Sequence, residues 1–315
     1  CNMPNSGHTF IDDRGQKMVH KVLPNGVVSP KCRYAMLGAG SVFDPVQLNR
    51  ELMLLADFGY DHFEVLVHPH AVVLKHEHKV AEAESLNGIA STMQGSAEAA
   101  IEKMRRPIDD NPVAKFNEDV IKKAIKAPHL VRVTNIDEYN RIVDNATKIL
   151  LEGAQGFSLS INERFYPYST SRDCTPARFM SDCGLPLPYL SRVIGTARVH
   201  PIRVGNTEGG YSGDHYDDQD ELSWGDLGVE AETTTVTGRI RRVYSFSQKQ
   251  IADAIRICQP EEVFLNFCNY APDQVQRIVS MIDAELVRYG HGGQVKYMGF
   301  GPTIADIRDR FPRSP

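Results

Sequence analysis

The sequence has 315 residues, a net charge of −5, 42% apolar and 24% charged residues: the balance of an ordinary globular protein, with core enough for one large or two modest domains. That balance excludes a polyanion binder, and no apolar run approaches the roughly 18 residues that a bilayer span needs. Neither nucleic acid nor a membrane is therefore expected as a partner. The six cysteines, Cys1, Cys32, Cys174, Cys183, Cys258 and Cys268, lack the paired spacing of metal ligands and read as reduced thiols of a cytoplasmic protein.

The chain opens on a short polar segment, Asn5-Ser6-Gly7-His8-Thr9. Its glycine lets backbone approach a ligand, and its histidine is a proton donor near neutral pH or a plain loop residue. Arg33 to Leu37 is a strand candidate ending in Gly38-Ala39-Gly40. Asp44-Pro45 supplies an N-cap with proline at the first helical position, and Leu48, Leu52 and Leu55 recur at helical spacing up to Gly59. With Phe63 to Val67 as the next strand, the β-α-β alternation predicts a parallel sheet.

His68, His70, His76 and His78 form two close pairs. Pro69 stiffens the first, and Lys75, Glu77 and Lys79 surround the second in an expected solvated helix start, so no metal site is read there. The hydroxyl-rich turn Ile89 to Gly95, with Ser91 and Thr92, leads into a helical run from Ser96 to Lys103 closed by Arg105-Arg106. Hydroxyls at a helix start make either a phosphate cradle or an ordinary cap. Two amphipathic helices, Asn117 to Lys126 and Ile136 to Thr147, flank a short strand, Leu130 to Val133.

Ile149-Leu150-Leu151 reads as a buried strand that switches abruptly to Glu152-Gly153-Ala154-Gln155-Gly156. Gln155 between two glycines at a strand's carboxyl end is either a ligand-facing amide or part of a strand-to-loop turn. Arg192 to Val199 is a further strand, followed by His200-Pro201 and Arg203-Val204-Gly205. The Gly-, Asp- and Glu-rich segment from Asn206 to Glu232 is longer than most connections and predicts a mobile surface loop. It runs into Thr233-Thr234-Thr235-Val236-Thr237-Gly238-Arg239-Ile240-Arg241-Arg242, which suits an oxyanion clamp or a solvated basic strand. The alternation then continues: helix Gln248 to Cys258, strand Glu262 to Asn269 ending in amides, a helix carrying Val275, Ile278, Val279, Ile282 and Leu286, and strand Val295 to Phe300 before Gly301-Pro302-Thr303.

In this order, Asn5 to Thr9, Leu23-Pro24-Asn25-Gly26, Glu152 to Gly156, Tyr166-Pro167-Tyr168-Ser169-Thr170-Ser171, Arg203-Val204-Gly205 and Thr237 to Arg242 resemble the adenylosuccinate synthetase family over nearly the whole chain. Phe157 to Ser160, Thr170 to Phe179, His200 to Gly205 and Phe264 to Tyr270 are similar to its short phage branch. The resemblance implies an α/β fold, a single domain (1–315) around a mainly parallel central sheet, related to P-loop nucleotide enzymes. It further implies a Mg²⁺- and ATP-dependent ligase that joins L-aspartate to dGMP through a 6-phosphoryl purine, with ADP and phosphate as the other products. An enzyme using IMP and a non-catalytic nucleotide-binding remnant are the alternatives. Because the sequence opens on Cys1, we expect the family's phosphate loop and purine N1 base to precede this stretch.

By the same resemblance, His8 would be the general acid at the purine 6-oxygen, with Gln155 beside it. The Gly7 carbonyl would help bind Mg²⁺. Asn5, Ser91, Thr92, Gln155, Thr170, Val204 and Arg239 would line the purine nucleotide, joined by Arg106 from a partner subunit of a homodimer. Thr235, Val236, Thr237, Arg239 and Arg241 would hold aspartate. Gly7, His8, Thr9, Arg241, Asn266, Asn269, Gly301 and Pro302 would contact the phosphoryl donor. Where the cellular enzyme ends a strand in a Lys-x-Asp pattern that reads guanine, this chain has Phe267-Cys268-Asn269. A carboxylate only accepts hydrogen bonds, whereas an amide donates and accepts and so suits adenine; ATP or dATP is the expected donor.

Overall fold

In the computed structural model, residues 3–235, 237–289 and 292–311 are described. They form two compact units. One holds the described residues up to Phe10, then Gln16–Gly156 and Ala177–Tyr189; the other holds Ile11–Gly15, Phe157–Pro176 and the described residues from Leu190 onward.

The first unit begins with the short strands β1 (His8–Ile11) and β2 (Lys17–His20). Its parallel sheet is built from β3 (Tyr34–Leu37), β5 (Glu64–Val67) and β7 (Val131–Val133) in that order, with the pairs β4 (Val42–Phe43) and β6 (Val72–Val73) beside each other. Helix α1 (Pro45–Asp57) starts as the sequence predicts, since the Asp44 carboxylate accepts from the N–H groups of Val46 and Gln47. Leu48, Leu52 and Leu55 are buried in the unit's core with Val65 and Val67, and Gly59 at φ +82° follows its end. Glu51, on the same face of α1, is only 2% exposed. Its carboxylate accepts from the backbone N–H groups of Lys21, Val22 and Leu23, the kind of partnership that makes a buried charge tolerable.

Helices α2 (His76–Ser85), α3 (Ser96–Arg105), α4 (Glu118–Ala124) and α5 (Ile136–Asp144) complete the alternation. Helix α2 starts at His76 with His76 and Glu77 exposed, as expected, but His78 turns inward: it is buried, accepts from the Lys75 N–H at Nδ1 and pairs with Glu102 through Nε2. Its neighbours in sequence are charged, but the ring spans the gap to α3. The expected strand at 149–151 does not form. Leu150 is 68% and Ile149 41% exposed, and among the described residues no strand pairs with the run, so its β-branched, apolar character has no ladder to join.

Helix α6 (Pro176–Asp182) precedes the strands of the second unit, which carries β8 (Ile194–Arg198), β12 (Glu262–Asn266) and β13 (Gln294–Gly299) in parallel, with β14 (Ile307–Asp309) antiparallel at the edge of β13. Helices α7 (Gln248–Cys258) and α8 (Val275–Tyr289) accompany it, and the five apolar positions read from the sequence of α8 are buried. A smaller antiparallel sheet orders β10 (Glu221–Leu222), β11 (Arg242–Tyr244) and β9 (Ile202–Arg203). The 206–232 segment lies largely at the surface, as its composition predicts, but it contributes β10 and is anchored at a few positions. Tyr216, Gln219 and Trp224 are buried, and the Trp224 indole N–H donates to the Arg241 carbonyl at 2.7 Å; a few large anchors tie down many small polar residues. The α/β, mainly parallel character expected from the sequence is present in both units.

Candidate active site

Two groups of predicted site residues stand out, one in each unit. In the first unit, β1 carries His8, whose side chain is 13% exposed and whose Nδ1 lies 3.3 Å from Glu152 Oε2. Burial lowers the His8 pKa, and the Glu152 charge opposes that shift. Glu152 was not singled out from the sequence, although it opens the Glu-Gly-Ala-Gln-Gly motif. Its carboxylate also accepts the backbone N–H groups of Asn25 at 2.8 Å and Gly26 at 2.7 Å. Two motifs more than 120 residues apart thus meet at one carboxylate. Asn25 in turn donates from Nδ2 to the Thr9 carbonyl and meets His20 Nδ1 at Oδ1, 3.0 Å away. His20 is fully buried and its pKa is lowered to about 4, chiefly by burial, so it is neutral and donates from Nδ1.

Gln155 is half-buried at φ +74°, a left-handed conformation that costs a non-glycine residue free energy and concentrates at functional positions. Asn5 is half-buried, and Gly7 and Thr9 are exposed. Thr92 is half-buried in the turn before α3. The anion-favouring start of α3 is already served from within: buried Glu82 accepts from the Ser91 hydroxyl at 2.9 Å and the Ala97 N–H at 3.1 Å. Arg106, exposed at φ +54°, caps the other end of α3.

In the second unit, Thr233 and Ile240 are joined by an antiparallel bridge, and the Thr234 N–H donates to the Arg239 carbonyl at 2.8 Å. These contacts replace the solvated basic strand that was the alternative reading there. The Thr234 and Thr237 hydroxyls lie 2.5 Å apart, Arg239 donates from Nε to the Thr237 hydroxyl at 3.1 Å, and its Nη1 reaches the Gly205 carbonyl at 3.3 Å. Val204, half-buried, directly precedes that glycine. Arg241 donates to the Thr233 carbonyl and lies 4.0 Å from Glu232, which also pairs with Arg198. Burial lowers the pKa of both Arg239 and Arg241: their charge sits in a poorly solvated place, which strengthens any oxyanion contact. Thr235 is exposed and Thr170 buried; Val236 lies outside the described residues. At the end of β12, Asn266 is half-buried and Asn269 exposed, and the Arg198 guanidinium lies 3.5 Å from the centre of the Phe267 ring. Gly301 is half-buried and Pro302 exposed in the turn before β14. Glu232 and Arg198 went unread in the sequence, Glu232 because it looks like one more acid in an acidic segment.

The family model for adenylosuccinate synthetase matches residues 3–108 and 109–279. The chain belongs to the adenylosuccinate synthetase family. The matched residues run through both units. Among relatives, the N6-succino-2-amino-2'-deoxyadenylate synthase of Vibrio phage phiVC8 is 50% identical over 98% of this chain and 89% of its own length. The synthase of the same name from cyanophage S-2L is 38% identical over 96% of this chain and 82% of its own. A solved structure of the cyanophage S-2L synthetase, bound to dGMP and dATP as an energy donor, superposes with a TM-score of 0.87 at 36% identity, covering 98% of this chain and 86% of that one. The fully ligated adenylosuccinate synthetase of Plasmodium falciparum shares the fold at a TM-score of 0.75 and 16% identity, over 98% and 92% of the two chains.

Proposed function

We propose that this member of the family is an ATP- or dATP-dependent ligase that condenses L-aspartate with dGMP to N6-succino-2-amino-2'-deoxyadenylate. The observation that carries this reading is the 50% identity to a phage synthase of that product over 98% of the chain. The dATP in the related cyanophage structure supports the choice of donor reached from Phe267-Cys268-Asn269.

In the first step the γ-phosphoryl group passes to the purine 6-oxygen as the N1 proton leaves, releasing the nucleoside diphosphate. In the second the aspartate amine attacks C6, and the phosphate departs with that oxygen. His8 supplies a proton or a hydrogen bond at the 6-oxygen, where charge develops, and the amide of Gln155 orients the same atom. The Thr237, Arg239 and Arg241 side chains grip aspartate carboxylates, guanidinium against oxyanion. Asn5, Thr92, Thr170 and Val204 complete the purine nucleotide contacts. Among the described residues no cluster of three or more His, Cys, Asp or Glu side chains could hold a metal. Gly7, an exposed residue, would offer its carbonyl to a Mg²⁺ held otherwise by substrate phosphates, as this ion commonly is; when bound, it would neutralise phosphate charge.

Arg106, exposed at the end of α3, serves the nucleotide phosphate of a partner subunit, so the working form is a homodimer. Among the described residues no helix is long and apolar enough to cross a membrane, and we place the enzyme in the host cytoplasm. The test is aspartate-dependent ADP release with dGMP and IMP in parallel. Preference for dGMP is expected, a preference for IMP would replace it with the cellular reaction, and tight dGMP binding without turnover would indicate a remnant.

A further inference from the structure

We propose that Glu152 is the positioning residue for His8: its carboxylate holds the imidazole at Nδ1, so that Nε2 is the nitrogen presented to the purine 6-oxygen. The proposal rests on the reading of His8 as the group acting at that oxygen. Its geometric basis is the triple engagement of one carboxylate. Oε2 accepts the Asn25 N–H at 2.8 Å and faces His8 Nδ1 at 3.3 Å, while Oε1 accepts the Gly26 N–H at 2.7 Å. A Cβ on Gly26 would lie 3.2 Å from Oε1, so the small residue there lets the turn close on the carboxylate.

Two backbone donors fix the carboxylate's orientation. A ring nitrogen that hydrogen-bonds to a carboxylate, which only accepts, must carry its proton. Nδ1 of His8 is therefore the donor to Glu152, which assigns the action on the substrate to Nε2. A proton can leave from Nε2 only if the ring is then an imidazolium, and the adjacent negative charge is what keeps that form accessible in a buried place. The clamp is anchored on the far side as well. Asn25 donates to the carbonyl of Thr9, next to His8 in β1, and accepts from His20. The titratable groups facing the pair do not compete for this role: His20 is neutral, with a pKa of about 4, and the Cys32 thiol is pushed up by burial and by Glu152 itself. A carboxylate that merely closed the 24–28 turn would need the two amides alone; the third contact, to His8, is what the turn does not require.

The experiment is a double-mutant cycle with pH profiles. kcat and KM for dGMP are measured for the wild type, Glu152→Gln, Glu152→Asp, His8→Asn and the His8→Asn/Glu152→Gln pair. Removing the charge should lower kcat by roughly 10- to 100-fold, with KM changing less than about threefold, because the group acts through a catalytic side chain. The alkaline limb of the kcat profile should move to lower pH, since a general acid that loses its anionic neighbour deprotonates earlier. Glu152→Asp should restore the limb, and the pair should be no slower than His8→Asn alone. An unshifted limb in Glu152→Gln, or single effects that multiply in the pair, overturns the proposal.

A measurement on the wild type is independent of how the variants fold. Nitrogen-15 histidine spectra, with the His8 signal assigned by its loss in His8→Asn, should show the neutral ring protonated at Nδ1. The Nε2–H tautomer would overturn the proposal. Should the wild type show no aspartate-dependent turnover, the ligase reading fails on its own, and the tautomer still decides the contact.

Discussion

Gly205 offers a perturbation whose size can be worked from the structure. A Cβ at this position would lie 2.2 Å from the Ile240 carbonyl oxygen, where side-chain carbons essentially never come within 3.0 Å of another heavy atom. Gly205→Ala must therefore displace backbone by at least 0.8 Å, the difference between those two distances. The obstructing carbonyl belongs to the residue between Arg239 and Arg241, and the Gly205 carbonyl itself accepts from Arg239, so the displacement falls on the proposed aspartate grip. Misplacement by about 1 Å costs on the order of 10²-fold in rate, and overpacking of this kind costs about 1–3 kcal/mol of stability. The assay is the initial rate of aspartate-dependent ADP release with aspartate varied, alongside a thermal melt. We expect kcat/KM for aspartate to fall roughly 10²-fold in a variant that still melts cooperatively at a modestly lower temperature. An unchanged kcat/KM would refute the assignment of the 239–241 segment to aspartate.

Three further outcomes follow from the same geometry. Gln155→Ala should raise the dGMP requirement and slow turnover while circular dichroism stays unchanged; wild-type kinetics would remove the residue from the site. ATP or dATP should support turnover better than GTP, because amides end the β12 segment where a carboxylate would read guanine, and a clear GTP preference in the ADP- and GDP-release assay would overturn that reading. His20 should make the protein acid-sensitive. Its pKa is about 4 when folded against an ordinary value of 6.5, so below pH 6.5 the unfolded chain takes up a proton that the folded chain does not. Stability is then lost as pH falls, by about 1.4 kcal/mol per unit and about 3 kcal/mol near pH 4. Urea unfolding from pH 7 to pH 4.5 should show a smaller loss in His20→Asn, and equal losses in both proteins would contradict the assignment.

The regular elements were legible in the sequence where periodicity and caps agree. Asp44-Pro45 opens α1 and the apolar positions of α8 are buried because local signals and tertiary burial point the same way. Legibility failed where a contact across the sequence decides. Ile149 to Leu151 has strand composition but no strand to pair with among the described residues, and Trp224 anchors a segment whose composition predicts a loop. The site divides in the same manner. His8 and Arg239 were found through motifs, whereas Glu152 and Glu232 matter through the partners that folding brings to them. A carboxylate's partners cannot be read from its flanking residues, and the occupation of the α3 start by Glu82 was hidden for that reason.

The central claim is that this chain activates the 6-oxygen of dGMP as phosphate and replaces it with the nitrogen of aspartate. It is tested most directly by supplying dGMP labelled with oxygen-18 at the 6-position, together with aspartate and ATP, and recording mass spectra of both products. The account predicts that the label leaves the purine and appears in the released phosphate, one atom for each succino-nucleotide formed. Label retained on the purine, or phosphate released unlabelled while the succino-nucleotide accumulates, would contradict it.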